Sequence, residues 1–298
     1  MKFQILIPQA FPCMTVKELL EDYLLIPRKI RHFLRTKKHV TINDQVINWQ
    51  SLVKPGDILT LVFDEEDYPP KVLPSGQAKL VEALYEDEHL IIVNKPEGMK
   101  THANEPQEIA LLNHVSTYVG QTCYVVHRLD METSGAILLA KNPFILPVLN
   151  RLLEDRQIKR TYLALCQGNI PIQSWSITDK IGRDRHDRRK RLVDPKKGQA
   201  AHTQVTLLGQ NKQVSLVQCQ LQTGRTHQIR VHLSHHGHAI LGDPLYSPLK
   251  APRLMLHAKE LRFHHPFTLE EVCVTAPSKS FENALKSTFH NGNEKKYQ

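Results

Sequence analysis

A chain of 298 residues, 41% hydrophobic and 23% charged, is long enough to bury one large core, or a core plus a small accessory module. Lys and Arg outnumber Asp and Glu by 39 to 30, a formal net charge of +9, which makes a polyanionic partner a reasonable expectation. Five cysteines, odd in number and without a C-x-x-C pair, argue against a disulfide framework or zinc site; no apolar run reaches membrane length, and the opening run to Ile7 is broken by Gln4 and stopped by Pro8. A reduced, cytosolic protein without a membrane partner is therefore expected.

Thr15-Val16-Lys17-Glu18 has the form of a capping box, and Val16, Leu19, Leu20, Tyr23 and Leu24 follow at helical spacing, ended near Pro27. A second helix is predicted from Arg28 to about Leu34, packing through Ile30, Phe33 and Leu34. Arg28, Lys29, Arg31, Arg35, Lys37 and Lys38 surround that apolar stripe with no acid among them. Val40-Thr41-Ile42, a turn at Asn43-Asp44, Val46-Ile47, a Lys54-Pro55-Gly56-Asp57 turn and Ile58–Val62 then read as a small hairpin and a closing strand. Two helices followed by this hairpin resemble the S-four-type RNA-binding domain. The resemblance implies that Arg28, Lys29, Arg31, Lys37 and Lys38 grip RNA.

Asp64 to Pro70 and Pro74-Ser75-Gly76 are polar and Pro-rich, so a linker is placed there. The expected division is 1–75 for the first domain and its linker, 76–289 for a second domain, and 290–298 for a flexible polar tail. In the second domain Leu90–Val93 reads as a strand running into a Lys95-Pro96-x-Gly98 turn, which sets a cation at the strand end. Helices are expected from about Gln107 to Val119 and from Pro143 to about Asp155, with a strand at Lys159–Cys166. The mixture has no regular βαβ rhythm, so the expected class is α+β. Residues 180–197 are dense in Arg and Lys and read as a basic loop or hairpin able to track a phosphate backbone.

Between Tyr124-Val125-Val126 and Ala136–Ala140, both apolar, lies His127-Arg128-Leu129-Asp130-Met131-Glu132-Thr133-Ser134-Gly135. A charged, hydroxyl-rich stretch between buried strands is a site loop, and Gly135 allows either positive φ or close backbone approach. Further on come Thr223-Gly224-Arg225-Thr226-His227-Gln228-Ile229-Arg230-Val231-His232 and Gly237-His238-Ala239-Ile240-Leu241-Gly242-Asp243-Pro244-Leu245-Tyr246. HRLDMETSG, VNKPEGM, KRTYLAL, TGRTHQIRVH and GHAILGDPLY, in this order over most of residues 85 to 263, resemble the RluA-type pseudouridine synthases. Met99-Lys100-Thr101-His102 is a local departure from that pattern, where a more apolar approach is expected.

The resemblance implies a pseudouridine synthase fold, with a mixed, mainly antiparallel sheet and flanking helices. It also implies an isomerase of structured RNA, most often large-subunit ribosomal RNA and sometimes transfer RNA, working without a cofactor. Pseudouridine formation breaks the bond from ribose to uracil nitrogen and remakes it to carbon five, with no redox change, so a carboxylate suffices. By resemblance Asp130 is that carboxylate; attack on the base, attack on the sugar and glycal formation all stay open. A buried Asp needs a nearby cation to stay ionised. By resemblance that cation is Arg230, with Arg225 the runner-up and more suited to a phosphate. Tyr162 matches the aromatic residue beneath the target base and Leu256 the apolar residue packing against it; Arg128, on the same loop as Asp130, is placed to fill the space left by a flipped base.

His232, His235, His236 and His238 lack the Cys or carboxylate company of a zinc site, and no P-loop or G-x-G-x-x-G is present, so neither a metal nor a nucleotide cofactor is expected. The expected partner is RNA, and the chain is expected to act as a monomer. Two rival readings are an RNA-binding assembly factor that has lost activity, and a metal-dependent hydrolase built on the histidines.

Overall fold

Alternation along Lys2–Leu6 buries Phe3 and Ile5 and exposes the residues between them, and this segment is an edge strand of a four-stranded antiparallel sheet. The computed structural model describes residues 1–69 and 71–289. Across the small sheet the order is Lys2–Leu6, Ile58–Val62, Val40–Ile42, Gln45–Val46. The sequence reading of two helices and a hairpin lacked the first strand, whose period-2 pattern is only five residues long. Asn43 and Asp44 turn the hairpin with φ of 51° and 62°, the left-handed pair that matches strand twist. Thr15 and Glu18 cap each other as expected. The helix they open widens after one turn, with the Leu24 N–H reaching Leu19 O. The basic helix is Arg28–Thr36.

The ten-stranded main sheet makes the class α+β, as expected. Its principal order is Ser174–Ile177, Thr203–Gln210, Val214–Leu221, Lys159–Gln167, Leu256–His264, Ser134–Ala140, Leu90–Lys95, Ala83–Glu86; Glu271–Thr275 pairs with Leu256–His264, and Tyr124–Val125 with Ser134–Ala140. All pairings are antiparallel except one: His257 and Ala258 run parallel to Ser134 and Gly135.

Every residue of Ser134–Ala140 is buried. Successive side chains of a strand point to opposite faces. Leu90, Ile92, Ala136, Leu138 and Ala140 accordingly join one core cluster, while Ile91, Val93, Ile137 and Leu139 join another. Helix Leu146–Glu154 covers the first face; helices Leu111–Val119 and Lys279–Phe289 pack with the second. The Leu111 helix starts four residues later than Gln107, because Glu105 and Glu108 close a turn and the Asn113 side chain accepts the Ala110 N–H at 3.0 Å. It stops at Gly120, with φ 78°.

The N-terminal sheet is packed against the main one. Phe3 stacks on Phe144 at 5.3 Å, Phe63 lies 5.3 Å from the same ring, and Phe144 stacks on Phe267 at 5.9 Å. Arg151, on helix Leu146–Glu154, donates to the Tyr23 carbonyl at 2.7 Å and also to that of Asp22. Two of the four acids after Val62 are engaged as well: Asp64 pairs with Lys37, and the Asp64 N–H donates to Asp67 at 2.9 Å. The tail 290–298 lies outside the described residues.

Candidate active site

The loop from His127 to Gly135 is pinned at both ends and in the middle. At its end Gly135 has φ 119°, and a Cβ there would lie 2.1 Å from the Ala258 carbonyl oxygen, so positive φ and close approach are both required. In mid-loop Thr101 Oγ donates to Leu129 O at 2.8 Å and accepts the Leu129 N–H at 3.2 Å. Met131 O receives the Gly98 N–H at 2.8 Å and Lys95 Nζ at 3.1 Å. Lys95 is fully buried and also donates to Pro96 O and Met99 O at 2.9 and 2.6 Å. Burial lowers its pKa to about 8, opposed by the charges of Asp130 and Glu132. His127 accepts the Leu138 N–H through Nε2 at 3.2 Å.

The parallel junction sets the site's other wall. Gly135 pairs with Ala258, Ala258 with Tyr162, and Tyr162 with Cys219, a single row across the sheet. This register carries Tyr162 and Leu256 to the loop's edge. Together with Arg128, Asp130, Arg225, His227 and Arg230 they line a cleft of about 440 Å³. Tyr162 is 5% exposed, and burial holds its phenol pKa above the ordinary value, so the hydroxyl stays neutral.

Arg230, 1% exposed, stands on helix Gln228–His235 directly behind Asp130. Its Nη1 donates to Asp130 Oδ2 at 3.0 Å, while Nε and Nη2 donate to Asp243 at 2.8 Å each. Glu132 is 3.6 Å away, and the guanidinium carbon lies 5.4 Å from the Tyr246 ring centre. Burial alone would depress the guanidinium pKa; the bonds to Asp243 and the charges of Asp130 and Asp243 outweigh it and raise it, so the cation is permanent. Asp243 also accepts the N–H groups of Leu245 and Tyr246. His227 enters the helix with φ 58°, bonds Tyr246 Oη through Nδ1 at 2.9 Å, and brings Nε2 to 3.8 Å from Asp130.

The chemistry available is a carboxylate facing a cleft, a fixed cation behind it, an aromatic and a leucine as apolar walls, and two exposed arginines at the mouth. The structure brings together Asp130, Tyr162, Arg230, Arg128, Arg225 and Leu256. It places Arg28, Lys29, Arg31, Lys37 and Lys38 outside this cleft: Arg28, Lys29 and Lys38 are exposed, Arg31 pairs with Glu21 at 2.8 Å, and Lys37 pairs with Asp64. Acids distant in sequence thus neutralise part of a face that contains none itself. Sequence reasoning missed Asp243, Thr101 and the anchoring carbonyls of Lys95. The Gly242-Asp243-Pro244 turn was visible, but nothing in its spacing tied it to Arg230.

Three of the four histidines at 232–238 are hydrogen-bonded within the fold. His232 bonds Thr203 Oγ1 and Asp179 O, His236 the Asp179 carboxylate, and His238 the Gln167 carbonyl. Among the described residues no three His, Cys, Asp or Glu side chains are grouped to hold a metal ion, and no helix is long and apolar enough to cross a membrane.

Residues 89–235 match the RNA pseudouridylate synthase family, and residues 3–59 match the RluD ribosomal pseudouridine synthase N-terminal domain. The chain is 37% identical over 250 residues to the RNA pseudouridine synthase YhcT of Bacillus subtilis, covering 80% of this chain and 82% of that one. It is 37% identical over 261 residues to the ribosomal large subunit pseudouridine synthase D of Neisseria meningitidis, covering 80% and 68%. Among solved structures, the human RNA pseudouridylate synthase domain containing 4 superposes with a TM-score of 0.59 at 26% identity, over 70% of this chain and 94% of that one. With the cleft, the sheet and these relatives in agreement, the chain belongs to the RNA pseudouridine synthase family of isomerases.

Proposed function

We propose that the protein isomerises defined uridines of large-subunit ribosomal RNA, with Asp130 as the catalytic carboxylate. The observation that carries this reading is the Asp130–Arg230 pair: a carboxylate 16% exposed at the cleft, bonded at 3.0 Å to a guanidinium that is itself locked on Asp243. A base in duplex is out of reach of this carboxylate, so the target nucleotide leaves its stack and enters the cleft. Arg128, exposed on the same loop, takes its place in the helix. Tyr162 and Leu256 receive the base on apolar surfaces that hold a detached uracil without fixing its rotation. The bond from C1′ to N1 breaks, the bond from C1′ to C5 forms, and the C5 proton is lost while N1 gains one. Atoms and electrons balance, and no cofactor enters.

The choice of ribosomal RNA is supported by the N-terminal match and by the name of the Neisseria relative. The exposed Arg28, Lys29 and Lys38 add backbone affinity outside the cleft, as a cytosolic enzyme of folded RNA requires. The test is pseudouridine mapping of total RNA from cells with and without the gene, complemented by wild type or by Asp130→Ala. Ribosomal positions that vanish on deletion and return only with wild type support the reading. No change in any ribosomal or transfer RNA uridine would sink it and favour an assembly factor that acts by binding.

A further inference from the structure

Beside the catalytic cleft lies a second cavity, of about 360 Å³, walled by Arg183, Arg191, Lys197 and Arg225. Arg225 and Thr226 line both cavities, so the two share a wall. Ile181–Arg183 and Arg191–Val193 form a two-stranded hairpin in which Arg183 and Arg191 are direct cross-strand partners. Like charges placed so repel each other and destabilise a hairpin unless an anion sits between them.

The acids of the same stretch form no ion pair with these cations among the described residues, although Asp194 lies beside Gly182 of the pocket wall and within electrostatic reach of Lys197. Asp184 accepts the N–H groups of His186 and Asp187, Asp187 pairs with Arg189, and Asp194 accepts the N–H groups of Lys196 and Lys197. Among the described residues, none of the four cations forms an ion pair with a carboxylate. The hairpin is nonetheless fixed relative to Asp130. The Arg191 N–H donates to Tyr246 Oη at 2.8 Å, Tyr246 Oη bonds His227, and His227 stands 3.8 Å from Asp130. Arg225 is held by its Nε bond to Ala200 O at 3.0 Å.

We propose that this pocket holds one backbone phosphodiester of the RNA whose uridine occupies the cleft, and so sets which nucleotide is presented to Asp130. Guanidinium forks match paired phosphate oxygens, and the shared wall places the bound phosphate close along the strand to the flipped base. The proposal deepens the function above and rests on it for the identity of the nucleic acid.

The test uses the full-length protein and transcribed fragments of large-subunit ribosomal RNA ethylated at random phosphates. Bound and unbound RNA are separated, and the ethylated positions in each are read by cleavage. Wild type should exclude RNA ethylated at a few neighbouring phosphates. Arg183→Gln combined with Lys197→Gln should become indifferent to one of these, keep the others, and flatten the slope of log affinity against log salt by about 0.7 to 0.9. Arg183→Lys, which keeps the charge, should retain the wild-type positions. Identical patterns in wild type and the double variant overturn the proposal, as does a wild type with no sensitive phosphate. Inorganic phosphate that shifts the Arg183 and Arg191 side-chain resonances without weakening RNA binding also overturns it, since the ligand is then a free anion. Pseudouridine is scored on the same RNA: RNA bound but not converted counts against the function, while the phosphate pattern still reads the pocket.

Discussion

Arg230 and Asp243 form a two-bond fork, Nε and Nη2 each 2.8 Å from a carboxylate oxygen, and this leaves only Nη1 for Asp130. The cation at the cleft is therefore oriented from behind rather than by the residue it serves. Asp243 has a fully buried side chain, so neither partner can turn to water if the other is lost.

Removing the guanidinium strands a buried carboxylate, which typically costs about 3–5 kcal/mol. Arg230→Met should lose stability of that order and all pseudouridine formation. Arg230→Lys keeps the charge but lacks the planar fork, so its stability loss should be smaller while turnover falls at least about tenfold. Urea unfolding and single-turnover conversion of RNA check the pair. Near-wild-type turnover in Arg230→Lys would show that orientation by Asp243 is dispensable.

Tyr162 faces the cleft, and among the described residues no protein group is bonded to its hydroxyl. Stacking on a base is worth about 1–3 kcal/mol and does not need that hydroxyl. Tyr162→Phe should convert RNA within about tenfold of wild type, and Tyr162→Ala should lose conversion by more than that. Equal loss in both variants would assign the phenol a direct role.

Much of the site could be read from the sequence because its parts are contiguous: loop 127–135 carries Asp130 and Arg128 between two strands, and residues 223–232 carry Arg225 and Arg230. The partners that orient them come from elsewhere in the chain. Asp243 meets Arg230 across a turn, Thr101 meets Leu129, and Glu21 and Asp64 neutralise Arg31 and Lys37. Pattern reports periodicity and local turns; it does not report which distant carboxylate reaches a given cation. The same limit hid the Lys2–Leu6 strand, which is defined by its pairing with Ile58–Val62.

Two glycines near the loop separate conformational strain from steric exclusion. Gly98 has φ 81° with open space where a Cβ would stand, whereas Gly135 has φ 119° and the Ala258 backbone in the way. Gly98→Ala should cost about 1–2 kcal/mol, the ordinary penalty of a left-handed alanine. Gly135→Ala should cost more than about 4 kcal/mol or fail to fold, since the strand junction must open. Comparable urea midpoints for the two variants would show that the junction yields easily.

The His127 ring is buried and uses Nε2 as an acceptor, leaving Nδ1 without a partner among the described residues. Burial, helped by the charge of Arg160, lowers its pKa from 6.5 to about 3; burial lowers that of His89 to about 4. Between those values and 6.5 the unfolded chain binds protons that the folded one refuses. This contribution to stability is complete above pH 6.5 and is lost as pH falls below it, by about 1.4 kcal/mol per unit and per histidine. Urea unfolding from pH 7.5 to 5 should follow this slope, and the His127 ring should show no titration by NMR above pH 5. A ring titrating near 6.5 in the folded protein would contradict it.

Phe144 is 1% exposed and touches Phe3 of the N-terminal sheet, Phe63 just after that sheet's strand Ile58–Val62, and Phe267 in the turn between Leu256–His264 and Glu271–Thr275 of the main one. An accessory module on a loose linker would unfold separately from the catalytic part. Here one hydrophobic cluster joins residues of both sheets with helix Leu146–Glu154, so a single cooperative transition is expected. Phe144→Ala empties the centre of that core and should cost about 3–5 kcal/mol while keeping the transition single. Equilibrium urea unfolding followed by tryptophan emission samples both parts, since Trp49 lies in the first and Trp175 in the second. Two separated transitions in wild type, with only one moved by Phe144→Ala, would mean that the contact does not couple the two sheets. The basic helix Arg28–Thr36 would then not hold a fixed distance from the cleft.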